Sequence, residues 1–523
     1  MKAVFGRTPT SPRRLRDVIL APCQRLGGLL GVLAMPYLGA EAAGASFDFE
    51  VLQARAKALA LQPPRARLGE VPAWLRQLSY DQLRQIQFDG RESLWRRENL
   101  PFQVQFLHPG FLFDKSVHIF EVQGSTTRAL PFRRNYFNYG SIPSGDLPAG
   151  MGFAGIRLMY PLNGFEKPLS EVGSFLGASY FRFLAAGAGY GLSARGLALD
   201  TAEAGPEEFP VFTDFWLERP DPEARSLTIL ALLQSESVTG AYRFLVTPGA
   251  ATVTTVKAVI FRRRDSNVFG VAPLTSMFWR GENTGGSADD YRPEVHDSDG
   301  LLMQNGRGEW IWRPLENPRQ IRVAAFADEN PKAFGLLQRD RNFENYQDLE
   351  ARYHARPSAW VEPVGAWGRG TIRLVELPTK DEFNDNTVVF WTPERLPPLG
   401  EAVVWEYRLH WFMDQIQPPA GFVRATRHGR AAYYEPGLER FVVDFDGPNL
   451  RTRGEADGLV PVLSVGAGAV LNHATLQKNL INGTWRVAFT LKPDGKGQAV
   501  ELRCFLRHAQ DVLTETWSYL WQP

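Results

Sequence analysis

Two stretches of the 523-residue chain set carboxylates beside aromatic strands. The first, FWRGENTGGSADDYRPEVHDSDG (278–300), carries Asp289, Asp290, Arg292, Glu294, His296, Asp297 and Asp299, with Trp310 and Trp312 soon after. The second, LVELPTKDEFNDNTVVFW (374–391), carries Asp381, Glu382 and Asp385 just ahead of Phe390 and Trp391. Glycosyl transfer needs one carboxyl that holds a proton, one that has lost it, and flat apolar faces to hold a sugar. Both stretches offer those groups. Acidic loops are also ordinary solvated turns, so residue types alone leave the two readings open.

Other chemistries find little support. HExxH, GxxxxGK[ST], GxSxG and CxxC are all missing, and the eight histidines are scattered. No metal and no cofactor are expected. GAGYG (187–191) lacks the GxGxxG spacing and opens no helical pattern, so it reads as a turn between strands. DSDG (297–300) is like the start of a calcium loop, but the twelfth position is Gly308, where a bidentate Glu is needed. Of the two cysteines, Cys23 and Cys504, the second sits in a strand-like run and reads as a buried small hydrophobe. Lys and Arg number 58 against 57 Asp and Glu, a formal charge of +1, so no global basic field exists to grip nucleic acid.

The N-terminus looks like an export signal over 1–45. Arg7, Arg13, Arg14, Arg16 and Arg25 precede an apolar run, Leu26–Ala40, and Ala43-Gly44-Ala45 offers a cleavage site. The run is short for a membrane span. The mature chain is expected to be exported by Sec or Tat and not to span the membrane. Helical patterns are few: 51–61, a capping box at Ser79–Gln82 opening a short helix to Ile86, and 343–353. From Val104 onward, period-2 strands dominate. Tyr242, Phe244 and Val246 share one face, as do Trp517, Tyr519 and Trp521. Gly, Pro, Asn and Asp clusters punctuate them. The expectation is an all-β fold of sandwich or barrel type. A boundary follows the strand 402–412, with a linker over 413–423. The last hundred residues, 424–523, have the size of an Ig-like sandwich without its Cys-Trp-Cys hallmarks.

Longer runs carry a resemblance: FRRNYFNYGSIPSGDLPAGMGFAGIRLMYPLN, SYFRFLAAGAGYGLSARGLALDT, EEFPVFTDFWLERP, YRPEVHDSDGL and LVELPT…DN…VVFW. The chain is similar to the periplasmic glucans biosynthesis protein G/D family, which acts on osmoregulated β-1,2-glucan. The resemblance implies a galactose-mutarotase-like β-sandwich over 46–412 joined to an Ig-like sandwich over 424–523. It implies an anomer-inverting pair, Asp297 as base and Asp385 as acid, with proton transfer relayed through a substrate hydroxyl. Asp299 rivals the first role; Asp381 and Glu382 rival the second. Arg292, Glu294 and His296 are candidates to bind sugar or to orient Asp297. Tyr291, Tyr346 and Trp391 are candidates to stack on glucose, with core packing the stronger reading of Trp391, and Arg339 and Arg341 to border the cleft or to neutralise a protein carboxylate. The expected partners are β-1,2-glucan and a membrane glucan synthase, and the expected compartment is the periplasm. Hydrolysis, transglycosylation and non-catalytic glucan handling are all compatible with it.

Overall fold

The computed structural model describes residues 47–64, 71–143, 145–148, 150–285, 289–414, 416, 418–431 and 437–523. The export signal expected over 1–45 lies outside the described residues. The first helix, Phe49–Ala60, starts where the Asp48 carboxylate accepts the Val51 amide at 2.9 Å. It turns Leu52 and Ala56 onto Trp216, Leu230 and Val259. The capping box forms at Ser79 and Gln82, but its helix runs only over Tyr80–Leu83 and stops short of Ile86. The chain then enters a strand, Gln87–Phe88, paired with Phe137–Asn138.

The helix expected over 343–353 is also shorter than its pattern. It covers Phe343–Tyr346 and ends at Gln347, whose φ is 56°. Just beyond, the Asp348 carboxylate accepts the amides of Glu350 and Ala351 and an Arg292 guanidinium N–H. Those bonds hold a turn where the helix would have continued.

Two large sheets follow, in keeping with the all-β sandwich expected. One runs from Gln103–Leu107 at its edge, through Tyr180–Phe183 and Ser193–Arg195, to Phe269–Ser276, Thr387–Pro393 and Arg369–Glu376. The other contains His118–Gln123, Val211–Glu218, Leu227–Gln234, Val238–Thr247, Thr252–Arg262, Ala402–Phe412 and Gly300–Gln304. Between them lies one apolar core in which Phe175, Phe181, Phe212 and Phe244 meet edge to face. Tyr242, Phe244 and Val246 all point inward, as their alternation predicts.

Near the C-terminus a four-stranded sheet, Phe422–Arg430, Glu439–Asp446, Trp485–Pro493 and Ala469–Lys478, packs over the strands Leu459–Val465, Val500–His508 and Thr516–Trp521. That second layer is continuous with the large sheet. Ile311 and Trp312 pair in parallel with Thr516 and Trp517. Trp312 and Phe412 share a core with Phe441, Phe489 and Trp517. Cys504 is fully buried there, and burial pushes its thiol far above its usual pKa, as suits a packing residue.

Candidate active site

Three chain segments meet at Ser276–Phe278. Strand 269–276 pairs with 387–393, putting Ser276 opposite Thr387, two residues after Asp385. A short strand, Phe278–Arg280, pairs with Val295–His296, and the Asp297 amide donates to the Met277 carbonyl at 2.8 Å. Asn386 locks the junction. Its amide nitrogen donates to the carbonyls of Phe278 and Leu377, each at 2.9 Å, and its oxygen accepts the Phe278 N–H at 2.8 Å. Two acidic loops far apart in the chain are thereby fixed side by side. Asn386→Ala would orphan three buried partners. It is expected to cost about 3 kcal/mol, read as a lower denaturant midpoint at unchanged slope.

Asp297 and Asp385 differ from the carboxylates around them. Asp290 lies against Arg280 and Arg292. Glu382 accepts from Arg292 at 2.5 Å and from the Tyr353 hydroxyl at 3.0 Å. Asp381 closes a turn onto the Phe383 amide, and Asp299 accepts the backbone amides of Arg339 and Asp340. These four are committed to structure. Among the described residues Asp385 makes no hydrogen bond, and the Asp297 Oδ1 accepts none, although an Arg356 guanidinium nitrogen stands 3.4 Å away.

Both carboxyls are raised by burial, as those of Asp299 and Glu282 also are. Burial raises the Asp297 carboxyl above its usual pKa, against the pull of Arg356, His296 and Arg182. Burial, and next the charge of Asp297, push Asp385 up to about 6, against Arg195, Arg182 and Arg356. The two carboxyls are within electrostatic reach of each other and share Arg182 and Arg356 as neighbours. Asp385 opens into a cavity of about 370 Å³ lined by Tyr80, Phe111, Phe113, Tyr180 and Arg182. That is large enough for a small organic ligand. Asp297 is not among the residues that line it and is 7% exposed.

The remaining candidates fall into three settings. Arg292 is a clasp: it holds Asp290, Asp348 at 2.9 Å and Glu382, tying the Asp297-bearing loop to the Asp385-bearing one. His296 and Glu294 are enclosed behind Asp297. His296 Nδ1 faces the Gln338 side-chain oxygen at 2.9 Å, and its Nε2 lies 3.0 Å from Glu294 and 3.3 Å from Asp299. Burial disfavours charge on this ring, but Asp299, Glu294 and Glu282 outweigh it and raise its pKa to about 9. His296 Nε2 bridges two carboxylates, and the ligand atoms of the buried trio lie within 4.8 Å of one another. With His296 completely buried, its expected contact with sugar is corrected to an internal one.

Tyr346 and Trp391 are corrected likewise. Each is 0% exposed: Tyr346 packs on His296 and Tyr353, and Trp391 on Trp367 inside the sandwich. Neither ring face is open to a sugar. Tyr291 is 77% exposed and free to make one. Arg339 is not a cleft residue either; it grips Glu515 with both guanidinium nitrogens. Arg341 donates to the carbonyls of His354 and Arg356, supporting the Arg356 backbone.

Four residues near the carboxyls escape the reading of the sequence: Arg356, Tyr353, Tyr180 and Arg182. Arg356 is aimed by its Nε–H bond to the Ala351 carbonyl and by the Tyr353 ring, 5.0 Å from its guanidinium carbon. Its ARPS context carries no signal. Tyr180 and Arg182 did carry one. In YFRF they alternate with the buried Phe181 and Phe183, which sends them to the open face.

Fold and site together define a double β-sandwich protein with an aromatic-lined cavity at Asp385 and a second raised carboxyl, Asp297, within electrostatic reach of it. Residues 47–521 match the family model described as periplasmic glucan biosynthesis protein, MdoG. The glucans biosynthesis protein G of Ralstonia nicotianae is 45% identical over 94% of this chain and 99% of its own length. The proteins of that name from two Rhodopseudomonas palustris strains, BisA53 and CGA009, are 45% and 44% identical over 91% and 95% of this chain, and over 94% and 99% of their own lengths. The chain belongs to the periplasmic glucan biosynthesis protein family. No helix among the described residues is long and apolar enough to cross a membrane.

Proposed function

We propose that this chain is a periplasmic enzyme that cleaves or remodels β-1,2-glucan with inversion at the anomeric carbon. The observation that carries the reading is Asp385. Its carboxyl is pushed up to about 6, makes no hydrogen bond among the described residues, and opens into an aromatic-lined cavity near a second raised carboxyl. A proton-bearing Asp385 gives its proton to the glycosidic oxygen as the C1–O bond breaks. Water attacks C1 from the opposite face, and its proton passes to Asp297. Asp297 is 7% exposed and does not line the cavity, so that transfer runs through a relay, as a substrate hydroxyl could provide.

The pH dependence follows from the same assignment. Asp385 must hold its proton, so turnover falls as pH rises through about 6. Asp297 must be ionised, so turnover also falls at low pH, from a point above the ordinary aspartate value. A bell with its maximum on the acid side of neutrality is expected from kcat against pH. The reading itself is tested on linear β-1,2-glucan, with reducing ends counted and products resolved by mass. Hydrolysis raises the number of reducing ends. Cyclisation removes them, which keeps the site and changes the acceptor from water to a glucan hydroxyl. Binding with no new product overturns the enzyme reading.

A further inference from the structure

The ion cluster behind Asp297 does not end inside the large sandwich. Asp299 Oδ1 faces His296, and its Oδ2 accepts the backbone amides of Arg339 and Asp340. The Arg339 guanidinium lies 3.7 Å over the Trp312 ring and reaches Glu515 at 2.6 and 3.0 Å. Glu515 also accepts the Val423 amide at 2.8 Å, while Arg339 donates to the Val423 carbonyl at 3.0 Å. Both Glu515 and Val423 belong to the C-terminal layers, and the Glu515 side chain is fully enclosed. A second tie runs beside the first. Glu282, just after the strand that pairs with Val295–His296, accepts the amide of Thr426 from the same C-terminal sheet at 2.9 Å.

We propose that the C-terminal sandwich is a working part of the site, with Glu515 and Arg339 as positioning residues for Asp297. This rests on the reading of Asp297 as base. The Glu515 carboxylate fixes the Arg339 side chain, and so the two backbone N–H groups that hold Asp299. Asp299 in turn fixes His296, the residue next to Asp297. Buried bidentate pairs hold geometry tightly, and loss of one partner leaves the other charge uncompensated. Asp385 is anchored through Asn386, whose bonds go to Phe278 and Leu377 and not to Glu515, Arg339 or Asp299.

The test uses the full chain with Glu515→Gln, which keeps shape and removes charge, and with Arg339→Lys, which keeps charge and removes the fork. Hydrogen exchange is followed by mass spectrometry. In each folded variant, peptides over 295–303 and 338–342 are expected to exchange at least about tenfold faster than in the parent, and the peptide over 377–386 at the parent's rate. On β-1,2-glucan, kcat should fall about tenfold or more with KM within about twofold. Unchanged exchange at 295–303 in a folded variant overturns the proposal. So does parental kcat per folded molecule. A parent without turnover, but with the exchange change in its variants, would leave the linkage standing and remove the glucan-cleaving reading instead. Should Glu515→Gln not fold, Arg339→Lys carries both readouts.

Discussion

Asp385→Asn is expected to lose about 10²–10⁴-fold in turnover and, at neutral pH, to be more stable than the parent. The loss follows from removing the group that protonates the leaving oxygen. The gain follows from linkage. The folded protein holds the Asp385 proton up to about 6, whereas an unfolded chain releases it near 3.8. Stability from this group is complete below 3.8 and drains away as pH rises through 6. That gap bounds the penalty at about 3 kcal/mol, and screening through the open cavity lowers it to roughly 1–2 kcal/mol. Asparagine carries no charge at any pH and escapes the penalty. Urea unfolding of both proteins should coincide near pH 4 and separate by pH 7, with the variant the more resistant. A variant no more stable at pH 7 would mean that Asp385 sits in an ordinary aqueous environment.

Arg356→Ala has the next largest expected effect. Its guanidinium is the cation beside Asp297, and it lowers the pKa of both carboxyls. Without it Asp297 stays buried with one charge fewer to support ionisation, and it responds by keeping its proton. A base that holds its proton is idle. Turnover is expected to fall about 10²-fold at pH 5–6, with the acid limb of the kcat profile displaced to higher pH and part of the loss recovered there. A uniform loss at every pH would assign Arg356 to sugar binding. Arg356→Lys should sit between the two, since it restores charge without the Nε contact to Ala351.

The sequence made the parts visible more readily than their arrangement. Carboxylates in polar loops stand out, and Asp297 and Asp385 were named from their stretches together with the family resemblance. What joins those stretches is a pairing register, Ser276 opposite Thr387, and an asparagine amide reaching three partners. Neither leaves a local signature. Trp391 is a core residue for a physical reason. Its strand lies between two others and is covered on both faces, so Phe390 and Trp391 are both fully buried where alternation would leave one exposed. The helix expected over 343–353 stops at Tyr346, and Asp348 captures the amides that would have propagated it. The alternation of YFRF, by contrast, is a local signal for Tyr180 and Arg182 on the open face, and it went unread.

The central claim is that Asp297 and Asp385 share one site, and the most direct test is a carboxyl titration of Asp385 by NMR, in the parent and in Asp297→Asn. Asp385 should titrate near 6 in the parent and at lower pH in the variant, where the neighbouring charge is gone. An Asp385 that titrates at the same pH in both proteins would contradict it.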